Sequence, residues 1–201
     1  MCKNKTISGK KAELRFITVE DTPLIVRWRN LPSVYQNLYT RSRLTEEEHL
    51  NWLNSHVFCG LCEQFIIYDR ETGLPVGSVF IKNINREASK GEYGIFIGEE
   101  TARGKGIGSE AAQMMLRYGF ETIGLNRIYL SVFADNSAAI ASYRRAGFYE
   151  EGRLRQDFRA DGKYHDIVLM AALRQEWLKE RGIVCRWEES EFEPLFSKSH
   201  Q

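Results

Sequence analysis

The chain reads as an α+β domain, a mixed but mainly antiparallel twisted sheet flanked by helices. Three observations carry that expectation. Residues 63–68 and 76–84 are β-branched and aromatic runs joined by a turn whose Gly73 can supply positive φ, the pattern of an antiparallel pair. Glu92-Tyr93-Gly94-Ile95-Phe96-Ile97 alternates and leads through Arg103-Gly104-Lys105-Gly106-Ile107-Gly108 into an amphipathic stretch, giving strand, glycine-rich turn and helix. Residues 149–158 and 163–173 flank Asp161-Gly162, a strong signal for a two-residue hairpin.

The remaining elements follow in order. Ala12, Leu14 and Phe16 alternate with charged neighbours, a half-buried first strand over 11–17. Thr18 with Asp21 forms a helix-capping set that opens 19–30. Leu24, Val26, Trp28 and Leu31 do not share one face, and Pro32 stops the helix near Asn30. Thr45 with Glu48 is a capping box, followed by the apolar stripe Leu50, Trp52, Leu53 and Val57 in a helix over 45–58. A helix is expected over 106–122, a strand over 127–132 and a helix over 137–146 closed by Gly147 in the left-handed region. A short helix is expected over 173–181. The domain is thus placed at residues 11–180. A C-terminal extension, 181–201, has aromatics (Trp187, Phe192, Phe196) that suit docking on the domain or on a partner.

Composition narrows the classes of function. With 201 residues the chain holds one domain and a substantial core. A formal net charge of +1 gives no bulk attraction to nucleic acid or membrane, so neither is expected as a partner. No apolar run reaches the ~20 residues of a membrane span, and Met1-Cys2-Lys3-Asn4-Lys5 lacks a signal-peptide core, so the cytoplasm is the expected address. Cys59 and Cys62 have C-x-x-C spacing but no second pair completes a tetrahedral set, so no metal is assigned.

The segment 103–108 is the most telling. A glycine-rich turn entering a helix leaves backbone N–H groups unpaired at the positive end of the helix dipole, an anion cradle suited to phosphate. It is not a nucleotide P-loop, because Lys105 is followed by Gly106 rather than Ser or Thr. It is not a dinucleotide fingerprint either, because Glu121, at about the required distance, falls within the helix rather than at a strand end. Arg103, Gly106 and Gly108 instead stand at the defining positions of the coenzyme A signature [Arg/Gln]-x-x-Gly-x-[Gly/Ala], which resembles that of the GNAT N-acetyltransferases. Asn136-Ser137-Ala138-Ala139 through Tyr143 to Gly147-Phe148 resembles the second signature of that family. With a strand between the two, the resemblance extends over roughly residues 14–173.

The resemblance implies a GNAT fold with splayed central strands and direct acetyl transfer from acetyl-CoA to a primary amine. Such a reaction needs a positioned thioester, a base for the ammonium and an acid for the departing thiolate. It further implies that the amides of Arg103, Gly104, Lys105, Gly106, Ile107 and Gly108 hold the pyrophosphate. Backbone groups of Ile95, Phe96 and Ile97 meet the pantetheine arm, and Asn136 contacts it while capping the following helix. Gly98 falls just beyond that strand, where a bend is expected. Tyr143 is the implied proton donor, and Glu92 the implied base, with His165 as the alternative. A carboxylate is a weak base toward an ammonium, so burial or a water chain has to assist Glu92. Asp166 is adjacent to His165, but strand alternation directs the two to opposite faces.

The acceptor is less well marked. Trp28-Arg29-Asn30 with Glu47-Glu48-His49-Leu50-Asn51-Trp52-Leu53 resembles the nucleotide-amino-sugar acetyltransferases, and Trp28, Arg29, Asn30 and His165 are the candidate substrate contacts. Leu14-Arg15 and residues 162–170 look equally like the ribosomal-protein N-terminal alanine acetyltransferases. An amino-sugar nucleotide is the first expectation and a peptide N-terminus the second. A polyamine is the third, with Glu46-Glu47-Glu48 as an acidic groove or, more plainly, as favourable charge at a helix N-terminus. A non-catalytic coenzyme A-binding module is the alternative class. A homodimer is an expectation by analogy only.

Overall fold

The computed structural model describes residues 5–181. Eight strands form one sheet in the order β1-β2-β3-β4-β5-β6-β8-β7. They are β1 (Thr6–Ser8), β2 (Ala12–Phe16), β3 (Glu63–Asp69), β4 (Pro75–Asn85), β5 (Lys90–Ile97), β6 (Arg127–Phe133), β7 (Tyr149–Ala160) and β8 (Lys163–Leu173). Every neighbouring pair is antiparallel except β5 and β6. The helices are α1 (Thr22–Arg29), α2 (Pro32–Tyr35), α3 (Glu46–Trp52), α4 (Ile107–Arg117), α5 (Ser137–Ala146) and α6 (Arg174–Glu180). The sequence reading places all but the three-residue β1 and the four-residue α2, which are too short to show a period. The sheet therefore begins at Thr6, ahead of the expected boundary at Lys11. The C-terminal extension lies outside the described residues apart from Arg181.

Two apolar cores cover the two faces of the sheet. Met115 and Leu116 of α4, Ile140 of α5 and Trp177 of α6 pack against Ile81, Tyr93, Ile128 and Met170 on one face. Trp28 and Ile25 of α1, with Leu53 and Val57 after α3, pack against Ile66 and Phe96 on the other. Thr45 accepts the Glu48 amide while Glu48 accepts the Thr45 amide, so the expected capping box opens α3. Helices α3 and α4 each run on into a wider turn, Leu53–Val57 and Tyr118–Ile123. Asp161 and Gly162 both adopt positive φ, 49° and 75°, the geometry of the hairpin turn their sequence predicts.

The central strands separate. β5 and β6 run parallel through only three paired positions, Lys90–Arg127, Gly91–Ile128 and Glu92–Tyr129. Beyond Glu92, β5 stays paired to β4 up to Ile97, and β6 to β8 up to Phe133. The backbone edges that face each other across the gap are left without a strand partner.

Gly98 has a reason other than the expected bend. Its amide donates to the Val76 carbonyl, and a Cβ there would lie 2.1 Å from Cδ1 of Trp28, which is completely buried. Gly98→Ala is expected to destabilise the fold by about 1–3 kcal/mol through overpacking, read from a denaturant midpoint.

His49 is buried with Nδ1 3.0 Å from the Thr22 hydroxyl. Burial, then the nearby Arg29 charge, press its pKa down to about 4. The unfolded chain takes up this proton near pH ~6.5 while the folded chain refuses it, so stability is full above that pH and falls as pH drops toward 4. Roughly 2 kcal/mol should be lost from this group between pH 7 and 5, and His49→Gln should flatten that part of the stability–pH curve.

Candidate active site

The gap between β5 and β6 opens into a cleft of about 720 Å³. Ile95, Phe96 and Ile97 line one bank; Asn136, Ala138, Ala139, Ser142 and Tyr143 line the other. The glycine-rich turn closes one end. Gly104 and Gly106 adopt positive φ, 76° and 85°, and Gly106 is the N-cap of α4. Among the described residues the amides of Gly104, Lys105 and Gly106 find no acceptor, and first-turn amides of a helix have none within it. Four charged residues line the cleft, Lys11, Arg103, Lys105 and Arg145, and all are basic. Unpaired amides, left-handed glycines, basic walls and an open strand edge suit a long ligand with phosphates at one end and amides along its arm. That is the chemistry of coenzyme A.

Within the turn the roles divide. Ile107 is buried in the core beneath α4 and anchors the turn, so only its backbone is available. The Arg103 amide is engaged with the Glu100 carbonyl at 3.0 Å. Its guanidinium donates to the Ile97 carbonyl at 2.9 Å and to the Ser33 hydroxyl at 3.1 Å. Arg103 thus ties the end of β5 to the turn and to α2, instead of extending freely toward a phosphate. A Cβ on Gly108 would meet Ile97 no closer than 3.7 Å, so packing within the chain does not itself demand glycine there, whereas Gly104 and Gly106 hold the positive φ that glycine favours.

On the opposite bank the Asn136 side chain accepts the Ala139 amide at 3.1 Å, the expected N-cap of α5. Its Nδ2 donates to Asn37 at 3.1 Å, so the loop that follows α2 is held to this bank. Tyr143 lies against the rings of Tyr93 and Phe148, each centroid 5.9 Å away. Burial pushes its phenol up to about 12, with the Tyr39 phenol adding to the rise. Tyr143 therefore stays protonated across any working pH and can act only as a donor.

Glu92 occupies the last paired position before the strands part. Its carboxylate accepts from Asn83 at 2.9 Å and pairs with Lys82 at 3.1 Å. His165 faces Asp135, 3.4 Å away, and meets the Phe133 ring edge-on. As alternation required, Asp166 points elsewhere. It holds the Gln156 amide at 2.8 Å and pairs with Arg153, pinning an irregularity in β7 where Gln156 has φ 54°.

Two expected substrate contacts, Trp28 and Asn30, are corrected, and Arg29 lies away from the cleft. Trp28 is completely buried, and its indole N–H donates to Glu99 at 2.8 Å. Arg29 is half-buried beside His49. Asn30 exchanges two 2.9 Å hydrogen bonds with the backbone of Leu44, closing the loop between α2 and α3. None of the three lines the cleft. Glu46, Glu47 and Glu48 form the first turn of α3, the plainer of their two readings.

Sequence reasoning missed Tyr39. This exposed loop side chain packs at 5.3 Å against both Phe133 and Phe158, which contact each other at 5.3 Å. Burial of its hydroxyl end pushes the phenol up to about 12, with Asp157 and Glu92 adding and a Ser131 hydrogen bond opposing. Tyr39 therefore lies within electrostatic reach of both Glu92 and Tyr143. Arg41 stacks over the same Phe133 and Phe158 rings and pairs with Asp161 at the hairpin tip. No periodicity marks a loop aromatic, so only the fold reveals it.

Comparison with known proteins agrees with this geometry. Residues 11–149 match the family model of an acetyltransferase (GNAT) domain. The spermidine N(1)-acetyltransferase of Escherichia coli (strain K12) is 28% identical over 173 residues, 86% of this chain and 91% of that one. A putative ribosomal N-acetyltransferase of Bacillus subtilis is 30% identical over 131 residues, 65% of this chain and 69% of that one. The crystal structure of spermidine N-acetyltransferase from Vibrio cholerae in complex with CoA and spermine superposes with a TM-score of 0.78 at 26% identity. It covers 85% of this chain and 99% of that one. The chain belongs to the GNAT family and is an acetyl-CoA-dependent N-acetyltransferase.

Proposed function

We propose that the acceptor is an aliphatic polyamine, acetylated on a primary amine. The observation that carries this reading is the separation of charge at the site. The charged residues lining the cofactor cleft are all basic, whereas the mouth beside Tyr39, Phe133 and Phe158 holds the carboxylates of Glu92, Asp135 and Asp157, with Arg41 over the same rings already paired to Asp161. Aromatic faces suit the methylenes and ammonium groups of a polycation, and carboxylates suit its charge. An anionic sugar nucleotide would be repelled there. The relatives named for spermidine span most of this chain, which supports the same acceptor class over the amino-sugar and peptide alternatives.

Acetyl-CoA supplies an activated thioester. The chain's own residues do the rest. The amides of residues 104–108 and the open edge of β5 position the coenzyme. Glu92, already holding two donors at the apex of the gap, receives the ammonium proton through water. Tyr143, on the α5 side, gives its proton to the departing sulfur. Glu92 and Tyr93 are successive residues of one strand and face opposite sides of the sheet, and Tyr143 packs on Tyr93. Base and acid thus sit on opposite sides of the slot.

Initial rates with spermidine, spermine, a UDP-amino sugar and alanine- or serine-ended peptides test the acceptor. The polyamines should be turned over with the highest kcat/KM, and a preference for any other acceptor overturns the reading. Tyr143→Phe is expected to lower kcat roughly 10²-fold with the KM for acetyl-CoA nearly unchanged. Normal turnover by that variant would remove Tyr143 from the acid role. Tyr39→Ala should raise the acceptor KM by about tenfold while coenzyme affinity, read by calorimetry, stays constant.

A further inference from the structure

Lys11 belongs to neither signature, yet its side chain ends at the cradle. It begins the approach to β2, 94 residues from Lys105 in sequence. What brings it there is Glu110, in the first turn of α4. The Glu110 carboxylate accepts three backbone amides from the β1–β2 turn: Lys10 at 2.9 Å, Lys11 at 2.6 Å and Ala12 at 2.7 Å. Three amides converging on one carboxylate pin the turn to the helix that carries the cradle. The fit is close enough that a Cβ on Gly9 would lie 2.9 Å from the Glu110 carboxyl carbon and 2.8 Å from Met114 Sδ.

From that pinned turn the Lys11 ammonium donates to the Lys105 carbonyl at 2.9 Å. It also sits 3.2 Å from where a Cβ on Gly106 would be. Among the described residues no carboxylate lies within ion-pair distance of it, so one of its three donors is spent on a neutral oxygen and two remain for a ligand. It lines the cleft alongside the unpaired amides of Gly104, Lys105 and Gly106.

We propose that Lys11 is a coenzyme-binding residue that neutralises the diphosphate from outside the glycine-rich turn, and that Glu110 is the positioning residue that delivers it. The proposal rests on the cradle receiving the coenzyme, and the experiment separates the two. Calorimetric titration of the whole chain with coenzyme A and with dephospho-coenzyme A, at two salt concentrations, measures both affinities. Lys11→Gln should weaken both ligands by the same factor, about tenfold, and reduce the salt dependence, while Lys11→Arg should recover most of the loss. Thermal melting confirms that each variant is folded.

Unchanged affinity in Lys11→Gln overturns the proposal. So does a loss confined to coenzyme A, which would move the lysine to the 3′-phosphate. If the unaltered chain binds neither ligand, the cradle itself is misassigned and the proposal falls with it. Glu110→Gln gives an independent reading. It makes the chain more positive but leaves one oxygen for three amides, so a latch predicts weaker binding of both ligands. Tighter or equal binding would mean that Glu110 acts only as a charge and does not position Lys11.

Discussion

The parting of β5 from β6 after the Glu92–Tyr129 pair is the constraint on which the site depends. Beyond that pair each strand stays paired on its outer side, so the sheet does not lose its continuity; only the inner edges are released. Unpaired strand edges are costly when buried and are usually covered or blunted. Here the edge of β5 faces a cleft, where a ligand carrying amides can satisfy it. The gap also fixes the geometry of the chemistry. Glu92 stands at its apex, Tyr143 on one side and the glycine-rich turn at its open end.

Charge is distributed unevenly about the site. The charged residues of the coenzyme cleft are all basic and are reinforced by the amides at the start of α4, whereas the Tyr39 side gathers carboxylates, and Arg41 paired to Asp161, around aromatic faces. Helix α2 and the loop after it join these halves. Ser33 meets Arg103 on one bank, Asn37 meets Asn136 on the other, and Tyr39 and Arg41 reach the β7–β8 hairpin. A single short segment therefore touches the cofactor turn, the α5 cap and the β7–β8 hairpin.

Burial does the tuning that isolated side chains cannot. Tyr143 and Tyr39 are both held protonated because their hydroxyls have lost water, and Tyr39 raises Tyr143 further. His49 is kept neutral by the same effect in the helical layer, where a charge would be unpaired. In all three the direction follows from which protonation state is charged.

Much of this was legible in the chain. Local rules are sufficient for a capping box at Thr45, a left-handed cap at Gly147, a two-residue turn at Asp161-Gly162 and left-handed glycines at 104 and 106, because each depends on the conformational preferences of neighbouring residues. The order of strand, cradle, helix, strand and capped helix, with Asn136 and Tyr143 at fixed offsets, likewise carried the family and the cofactor. What distant residues do to one another was not legible. Gly98 is explained by a tryptophan 70 residues earlier, Lys11 by a carboxylate on α4, and Tyr39 by rings on β6 and β7. Trp28 and Asn30 look like recognition residues in a motif and prove to be core and loop clamp once folded. Period and propensity report which face a residue takes, but which partner waits on that face is decided only when the sheet closes and the chain's separate parts compete for the same space.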